Sequence, residues 1–422
     1  MGYLFRPLYG RGFCRRENHY RLRWKTNKLD GDLQLCRRLP KLAAMSSAPS
    51  TDWTWLRTGD EVFPAMLAVM EAARKSICLE TYIFSAGPFG ERFRAVLVRA
   101  QQRGVRVRVL VDAIGSLALP DDFWSPLRAA GGEARFFNPV TFRRFEIRNH
   151  RKLLVCDECL AFVGGFNLAP EYEGDGVTRG WCDLGVRIEG PLVKLLAESF
   201  DAMFGLAEFR HKRFPRLRRA ALTRRVDSPT GRLLLGAPGR GRNPLRHALH
   251  SDLATARNVQ IMVGYFLPPG LLRRDLARVA RRGGRVQLLL AGQSDVALSQ
   301  LAGRSLYRRL LKAGVEIYEY EPQVLHAKLY AIDDAVYVGS ANLDPRSLSI
   351  NYELMLRLEI ARMAKEAREI FAAALKHSRR IDLATWRKSR SVWTRLQQRW
   401  ALFFLARIDP YLAQRQWRAL PD

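Results

Sequence analysis

The sequence predicts an α/β fold of two similar halves, each a mostly parallel sheet flanked by helices. Two observations carry this. Apolar strand-like runs alternate with amphipathic helical stretches, the pattern of βαβ units. The order of elements in residues 53–208 also recurs in residues 232–380.

In the first half, Phe63, Met66, Leu67 and Met70 share one helical face and lead into a strand, Ile77–Phe84. A second amphipathic stretch ends at Gly104, and the strand Val105–Val111 closes on Asp112. The second half repeats this with a strand Val259–Phe266, a helix near 271–282 and a strand Val286–Leu290. The stretch Ala130–Phe137 then matches Ala313–Tyr320, and Asp183–Glu189 matches Glu353–Glu359. Each of the last pair precedes an amphipathic helix, near 191–204 and 361–376. An Arg-rich linker over 209–231 joins the halves and ends in the turn residues Ser228-Pro-Thr-Gly231.

The chain has 422 residues, enough for two domains that each bury a core. Hydrophobic residues make up 48% and charged residues 26%, which excludes a disordered chain. Lys and Arg number 70 against 41 acids, a formal charge of +29 that attracts nucleic acid or an anionic bilayer. Cys156 and Cys159 form a C-x-x-C inside an apolar run, but a zinc site wants a second pair or nearby His, so the cysteines read as reduced, mostly buried thiols. No apolar run reaches the roughly 18–20 residues of a membrane span, and no secretory signal is present. Residues 1–52 form a basic extension. It reads either as an arm or as the product of a start placed upstream of a true one at Met45.

Two H-x-K-x4-D motifs stand at matching places in the repeat: His150/Lys152/Asp157 and His326/Lys328/Asp333. In a strand, residues i and i+2 share a face, so imidazole and ammonium can approach one anion. Only seven His occur in the chain, and two of them are here. Each motif precedes a small-residue turn with an amide, Gly164-Gly165-Phe166-Asn167 and Gly339-Ser340-Ala341-Asn342. Gly165, Asn167, Ser340 and Asn342 are candidate substrate-binding residues, since glycine permits close backbone approach and amide or hydroxyl groups can donate to phosphoryl oxygens. Glu80, at the carboxyl edge of its strand, is a further one.

H-x-K-x4-D followed by G-[GS]-x-N resembles the paired signature of the phospholipase D superfamily. Gly339–Ser347, Asn351-Tyr-Glu353, Glu80–Phe84 and Gly264–Pro268 resemble bacterial cardiolipin synthases of the short, type B-like kind, over about residues 53–376. The resemblance implies an active site at the interface of the two halves and a transphosphatidylation that needs no metal or cofactor, because two Lys do the electrostatic work. One His, leaning to His150, attacks phosphorus and forms a phosphohistidine, and the other serves as acid and then base. Lys152 and Lys328 stabilise the non-bridging oxygens, with Asn167 and Asn342 as further donors. Asp183 and Glu353, at one repeat position, would orient the imidazoles. Asp157 and Asp333 are counted with the catalytic motifs, although their place five residues after each Lys suits fixing the turn after the strand. Gly165 stands where the other half has Ser340, so the half-sites are not equivalent.

Residues 381–422 lie outside the repeat. Trp386, Trp393 and Trp400 fall seven apart, joined on one helical face by Leu396, Phe403 and Phe404, with Arg and Lys around them. That pattern suits an interfacial helix on an anionic membrane. The resemblance implies phospholipid partners, phosphatidylglycerol first, and no nucleic acid; with the tail it implies an anionic membrane surface. The expected location is peripheral, at the cytoplasmic face of the cell membrane. A phospholipase D-type hydrolase, a nuclease of the same superfamily and a non-catalytic nucleic-acid binder are the alternatives.

Overall fold

The computed structural model describes residues 51–139, 147–207, 224–228, 231–238, 243–388 and 390–408. The N-terminal extension up to residue 50, with the question of Met45, lies outside them.

The first half runs β1 (Asp52–Leu56), α1 (Gly59–Ala72), β2 (Ser76–Thr81), α2 (Gly87–Gln102), β3 (Arg106–Asp112), α3 (Ser125–Ala129) and β4 (Glu133–Phe137). It continues through β5 (Leu153–Cys156), β6 (Leu160–Gly164), β7 (Gly185–Glu189) and α4 (Leu192–Ala207). The second half opens with β8 (Arg224–Ser228), β9 (Gly231–Gly236), α5 (Pro244–Thr255), β10 (Asn258–Val263), α6 (Gly270–Arg281) and β11 (Arg285–Ala291). Then come α7 (Ala297–Arg304), α8 (Tyr307–Lys312), β12 (Glu316–Tyr320), β13 (Lys328–Ile332), β14 (Ala335–Gly339), α9 (Pro345–Ser349), β15 (Glu353–Glu359) and α10 (Ala361–Leu375). A short strand β16 (Ser378–Arg380) and two tail helices, α11 (Leu383–Lys388) and α12 (Val392–Phe403), follow.

The first sheet has the order β1-β7-β6-β5-β2-β3-β4. The second repeats it as β9-β15-β14-β13-β10-β11-β12, with β8 and β16 added at its two edges. The two-half α/β architecture is thus as the repeat predicts. The strand direction needs correcting: the sheets are mixed and mostly antiparallel. Among the described strands only β2·β3, β3·β4, β10·β11 and β11·β12 pair in parallel. Those pairs have helical crossovers between them. The β5–β6 and β13–β14 connections are too short for a crossover, so the chain must reverse as a hairpin. Asp157, Glu158 and Asp333 make those reversals with positive φ, and Cys156 and Cys159 flank the first of them. Arg224–Ser228, placed in the linker by the sequence, pairs with β9 as part of the second sheet.

Three clusters of buried side chains fill the layers. One lies under α1, α2 and α3, and one under the helices of the second half. The third joins the halves: Val163, Val186 and Phe200 share it with Leu329, Val338, Leu356 and Phe371. The tail is not separate from the body. Trp386 is only 9% exposed and packs against Tyr307 at a ring distance of 5.0 Å, and Ile381, Gln398 and Ala401 are buried.

Candidate active site

Each H-x-K segment lies just before a central strand and is pinned to the other half of the molecule. Asn149 bridges Tyr352 in parallel, and Leu325 bridges Cys182 in the same way. The His150 amide donates to the Tyr352 carbonyl at 3.0 Å, and the His326 amide to the Cys182 carbonyl at 2.7 Å. One residue beyond each bridge, the imidazole of one half therefore meets the carboxylate of the other. His150 Nδ1 lies 3.1 Å from Glu353 Oε1, and His326 Nδ1 lies 2.6 Å from Asp183 Oδ2. The structure thus brings together the two His, the two Lys and the two carboxylates that the repeat singled out, and it crosses the carboxylates between halves.

Burial sets the charge states. It holds both imidazoles below the ordinary histidine value, His326 down to about 3, although the facing carboxylates pull the other way. Both imidazoles are therefore neutral at neutral pH, and Nδ1–H donated to a carboxylate leaves the lone pair on Nε2. Burial would raise Asp183 and Glu353, but the facing His and the buried Lys prevail and hold both carboxyls below their usual range. Burial also pushes Lys152 down to about 7 and Lys328 to about 8. Lys152 Nζ donates to the His150 carbonyl at 2.7 Å, and Lys328 Nζ lies 2.8 and 3.0 Å from the ring nitrogens of His326.

The half-sites differ as Gly165 and Ser340 foretell, and the difference falls at the two carboxylates. A Cβ at Gly165 would lie 2.1 Å from Asp183 Oδ1, so the glycine makes room for the carboxylate. Ser340 is buried and donates its hydroxyl to Glu353 Oε2 at 2.5 Å. Both positions adjoin the carboxylates that face the imidazoles. The amides differ too. Asn167 Nδ2 donates to the Tyr172 hydroxyl at 2.6 Å, and its Oδ1 accepts from the Ile83 amide. Asn342 Oδ1 accepts from the Tyr265 amide, in the matching place. Tyr172 and Trp181, which have no counterpart in the second half, pack within 5.3 and 5.6 Å of the His326 ring, whereas Tyr82 packs at 5.0 Å from His150.

Two expectations are corrected. Asp157 and Asp333 are not at the site but at the far end of the strands that follow the Lys. Asp157 accepts from the amides of Arg74, Lys75 and Ser76, and Asp333 from those of Arg257 and Asn258. Each carboxylate ties its hairpin to the start of the neighbouring strand. Glu80 does not face substrate either. It is 1% exposed, accepts from Asn149 Nδ2 at 2.7 Å and pairs with Arg151 at 3.1 Å. It anchors the segment that carries His150. Asn149 and Arg151 alternate with His150 and Lys152, the one sequence signal that could have found this anchor.

Fold and site are those of a chain with two phospholipase D-like halves around one centre. The family profile described as "Cardiolipin synthase, PLD-like domain" matches residues 66–204 and 249–375, and the chain belongs to that family of enzymes. It is 35% identical over 309 residues to "Cardiolipin synthase B" of Salmonella typhi, covering 71% of this chain and 75% of that protein. It is 29% identical over 445 residues to "Cardiolipin synthase 1" of Bacillus cereus, covering 98% and 86%. Among solved structures, the phosphatidylserine synthase of Haemophilus influenzae superposes with a TM-score of 0.68 at 16% identity, over 85% of this chain and 94% of that one. At that identity the likeness is one of fold.

Proposed function

We propose that this chain is a phosphatidyltransferase that makes cardiolipin or a related phospholipid by transphosphatidylation. The observation that carries the reading is the pair of buried imidazoles, each held at Nδ1 by a carboxylate and flanked by a lysine. The names of its relatives supply the lipid class.

In this mechanism Nε2 of one His, in the sense of the family His150, attacks the phosphodiester phosphorus. The bond to the leaving alcohol breaks, and that alcohol takes a proton from the partner imidazole. The anionic substrate between the rings supports protonation of that partner. The acceptor hydroxyl then returns a proton to it while attacking phosphorus, and the P–N bond breaks. Lys152 and Lys328 hold the non-bridging oxygens, with the Asn342 amide as a donor. Glu353 and Asp183 keep each ring in the required tautomer. The donor is a phospholipid, phosphatidylglycerol first, and the acceptor the headgroup hydroxyl of a second lipid; free glycerol is the acceptor only when the donor is a phospholipid other than phosphatidylglycerol.

The protein works as a peripheral enzyme on an anionic membrane surface, at its cytoplasmic face. No helix among the described residues is long and apolar enough to cross a membrane. Trp393 and Trp400 are 66% and 60% exposed on α12, beside exposed Leu396 and Phe403, and such a stripe fits an interfacial helix.

Labelled phosphatidylglycerol incubated with purified protein should give a labelled diphosphatidyl lipid and free glycerol. His150→Ala and His326→Ala should each abolish this with unchanged melting, because each ring serves a distinct step. Phosphatidic acid as sole product would assign a hydrolase instead. Cleavage of DNA without any lipid product would make the chain a nuclease.

A further inference from the structure

Away from the catalytic centre, α8, α11 and α12 enclose a cleft of about 620 Å³, within the ~300–1,000 Å³ typical of small-molecule sites. Six cations line it: Arg308, Arg309, Lys388, Arg390, Arg395 and Arg399. Among the described residues, no Asp or Glu lines it. Elsewhere on this chain arginines are often met by acids, as in Arg92–Glu173, Arg179–Asp60 and Arg285–Glu316. Here the cations face one another. Arg390 is held below the usual guanidinium range by burial first, and then by Arg395 and Arg308. Its guanidinium is fixed on the Trp386 carbonyl at 3.1 Å and on Gln398 Oε1 at 3.0 Å, so it is a positioned donor.

The cleft adjoins the apolar stripe. At 100° per residue, α12 divides into three faces. Gln398 and Ala401 turn inward and are buried; Arg395 and Arg399 border the cleft; Trp393, Leu396, Trp400 and Phe403 face outward and are exposed. The basic face lies between the buried and the apolar one. A helix resting by its aromatic stripe in the boundary between headgroups and acyl chains would hold its arginines at the depth of the phosphates. The cleft is also tied to the second half-site. α12 packs along α7, which begins just after Asp295. The Asp295 carboxylate accepts the Tyr265 hydroxyl at 2.7 Å, and the Tyr265 ring stands 6.3 Å from His326.

We propose that this cleft is a headgroup site for an anionic phospholipid of the bilayer, distinct from the catalytic centre. The lipid's phosphodiester oxygens meet these cations as carboxylates meet Arg92, Arg179 and Arg285 elsewhere, while the Trp393/Leu396/Trp400/Phe403 stripe enters the membrane beside it. The inference rests on the membrane reading given above and adds to it a lipid-selective site.

The test uses the full chain and vesicles of pure phosphatidylcholine or of phosphatidylcholine with phosphatidylglycerol. The triple variant Arg308→Ala/Arg309→Ala/Arg399→Ala removes three exposed cations of the cleft. A charge-matched control, Arg74→Ala/Lys75→Ala/Lys194→Ala, removes three exposed cations of the first half. The cleft triple should weaken binding to the anionic vesicles by about 100-fold, the scale of three basic residues at a charged surface. It should leave the weak binding to phosphatidylcholine, the melting temperature and turnover of a short-chain soluble phosphodiester unchanged. The control should lose about tenfold or less, and a triple Arg→Lys version of the cleft should keep most of the binding. Equal loss in the control and the cleft triple would overturn the proposal, because binding would then follow the overall charge. Loss of DNA binding with vesicle binding intact would overturn it as well. The soluble-substrate assay separates the two readings: a wild-type protein that binds anionic vesicles through the cleft yet transfers no phosphatidyl group keeps the site and loses the proposed reaction.

Discussion

At the scale of the residue, burial controls the chemistry. Lys152 and Lys328 share a desolvated space with two carboxylates, and their ammonium groups titrate near 7 and 8 instead of at the usual lysine value. An ammonium loses its charge as pH rises through its pKa, so kcat/KM should fall on the alkaline side between about pH 7 and 8. Lys152→Arg keeps a charge at every working pH. Whatever its absolute rate, its alkaline limb should move upward, and an unmoved limb in both Lys→Arg variants would take the lysines out of the pH profile. Gly165 offers a second test. A methyl group there would meet Asp183 Oδ1 at 2.1 Å, so Gly165→Ala must push the carboxylate away from His326. Displacement of that order costs roughly 10²-fold in rate. Alanine at Ser340 creates no such clash and only removes a donor from Glu353, so its loss should be smaller. Equal losses would mean that the half-sites do not differ in the way Gly165 and Ser340 imply.

At the scale of the element, the hairpins after each H-x-K segment explain Asp157 and Asp333. Asp157 sits at φ 54° and collects three backbone amides that begin β2. Asp157→Ala should lower stability by about 1–3 kcal/mol, the cost of stranding such donors, with kcat nearly unchanged. A large fall in kcat at full stability would return this residue to the catalytic set. These elements also mark how far the sequence could be read. The repeat made the two halves, the His/Lys pairs and the carboxylates Asp183 and Glu353 legible, since each appears twice at one place. It could not tell which carboxylate serves which imidazole, because the Asn149–Tyr352 and Leu325–Cys182 bridges join residues far apart in the chain. Strand direction was misread because a buried apolar run looks alike in parallel and antiparallel sheets. Glu80 was misread because the alternation of Asn149 and Arg151 with His150 and Lys152 puts a second polar face on that segment, and its partner Glu80 lies 69 residues from Asn149 in the chain. Tyr172 and Trp181 were missed because they have no partner in the second half.

At the scale of the whole molecule, the crossed carboxylates make the site a property of both halves. The first half holds His150 but not Glu353, and the second holds His326 but not Asp183, so neither contains an oriented imidazole of its own. The shared cluster from Val163 to Phe371 keeps the two sheets in register. The tail extends this assembly and divides by depth. Of the three tryptophans seven apart, Trp386 is 9% exposed, whereas Trp393 and Trp400 are 66% and 60% exposed. They should therefore behave differently. Trp386→Ala empties a place against Tyr307 and should cost about 3–5 kcal/mol, the scale for deleting a buried aromatic. It should lower the melting temperature clearly. Trp393→Ala/Trp400→Ala removes only exposed surface, so melting and turnover of a soluble phosphodiester should stay as they are while vesicle binding falls. Cutting the chain before Ile381 combines both effects, because Ile381, Trp386 and Ala401 leave the second core cluster together. The cut protein should melt early as well as bind membranes poorly. Thermal melts and vesicle sedimentation of the three proteins side by side decide the matter. A Trp393/Trp400 variant that melts as early as Trp386→Ala would show that the outward stripe supports the fold, and the membrane role of α12 would fall with it.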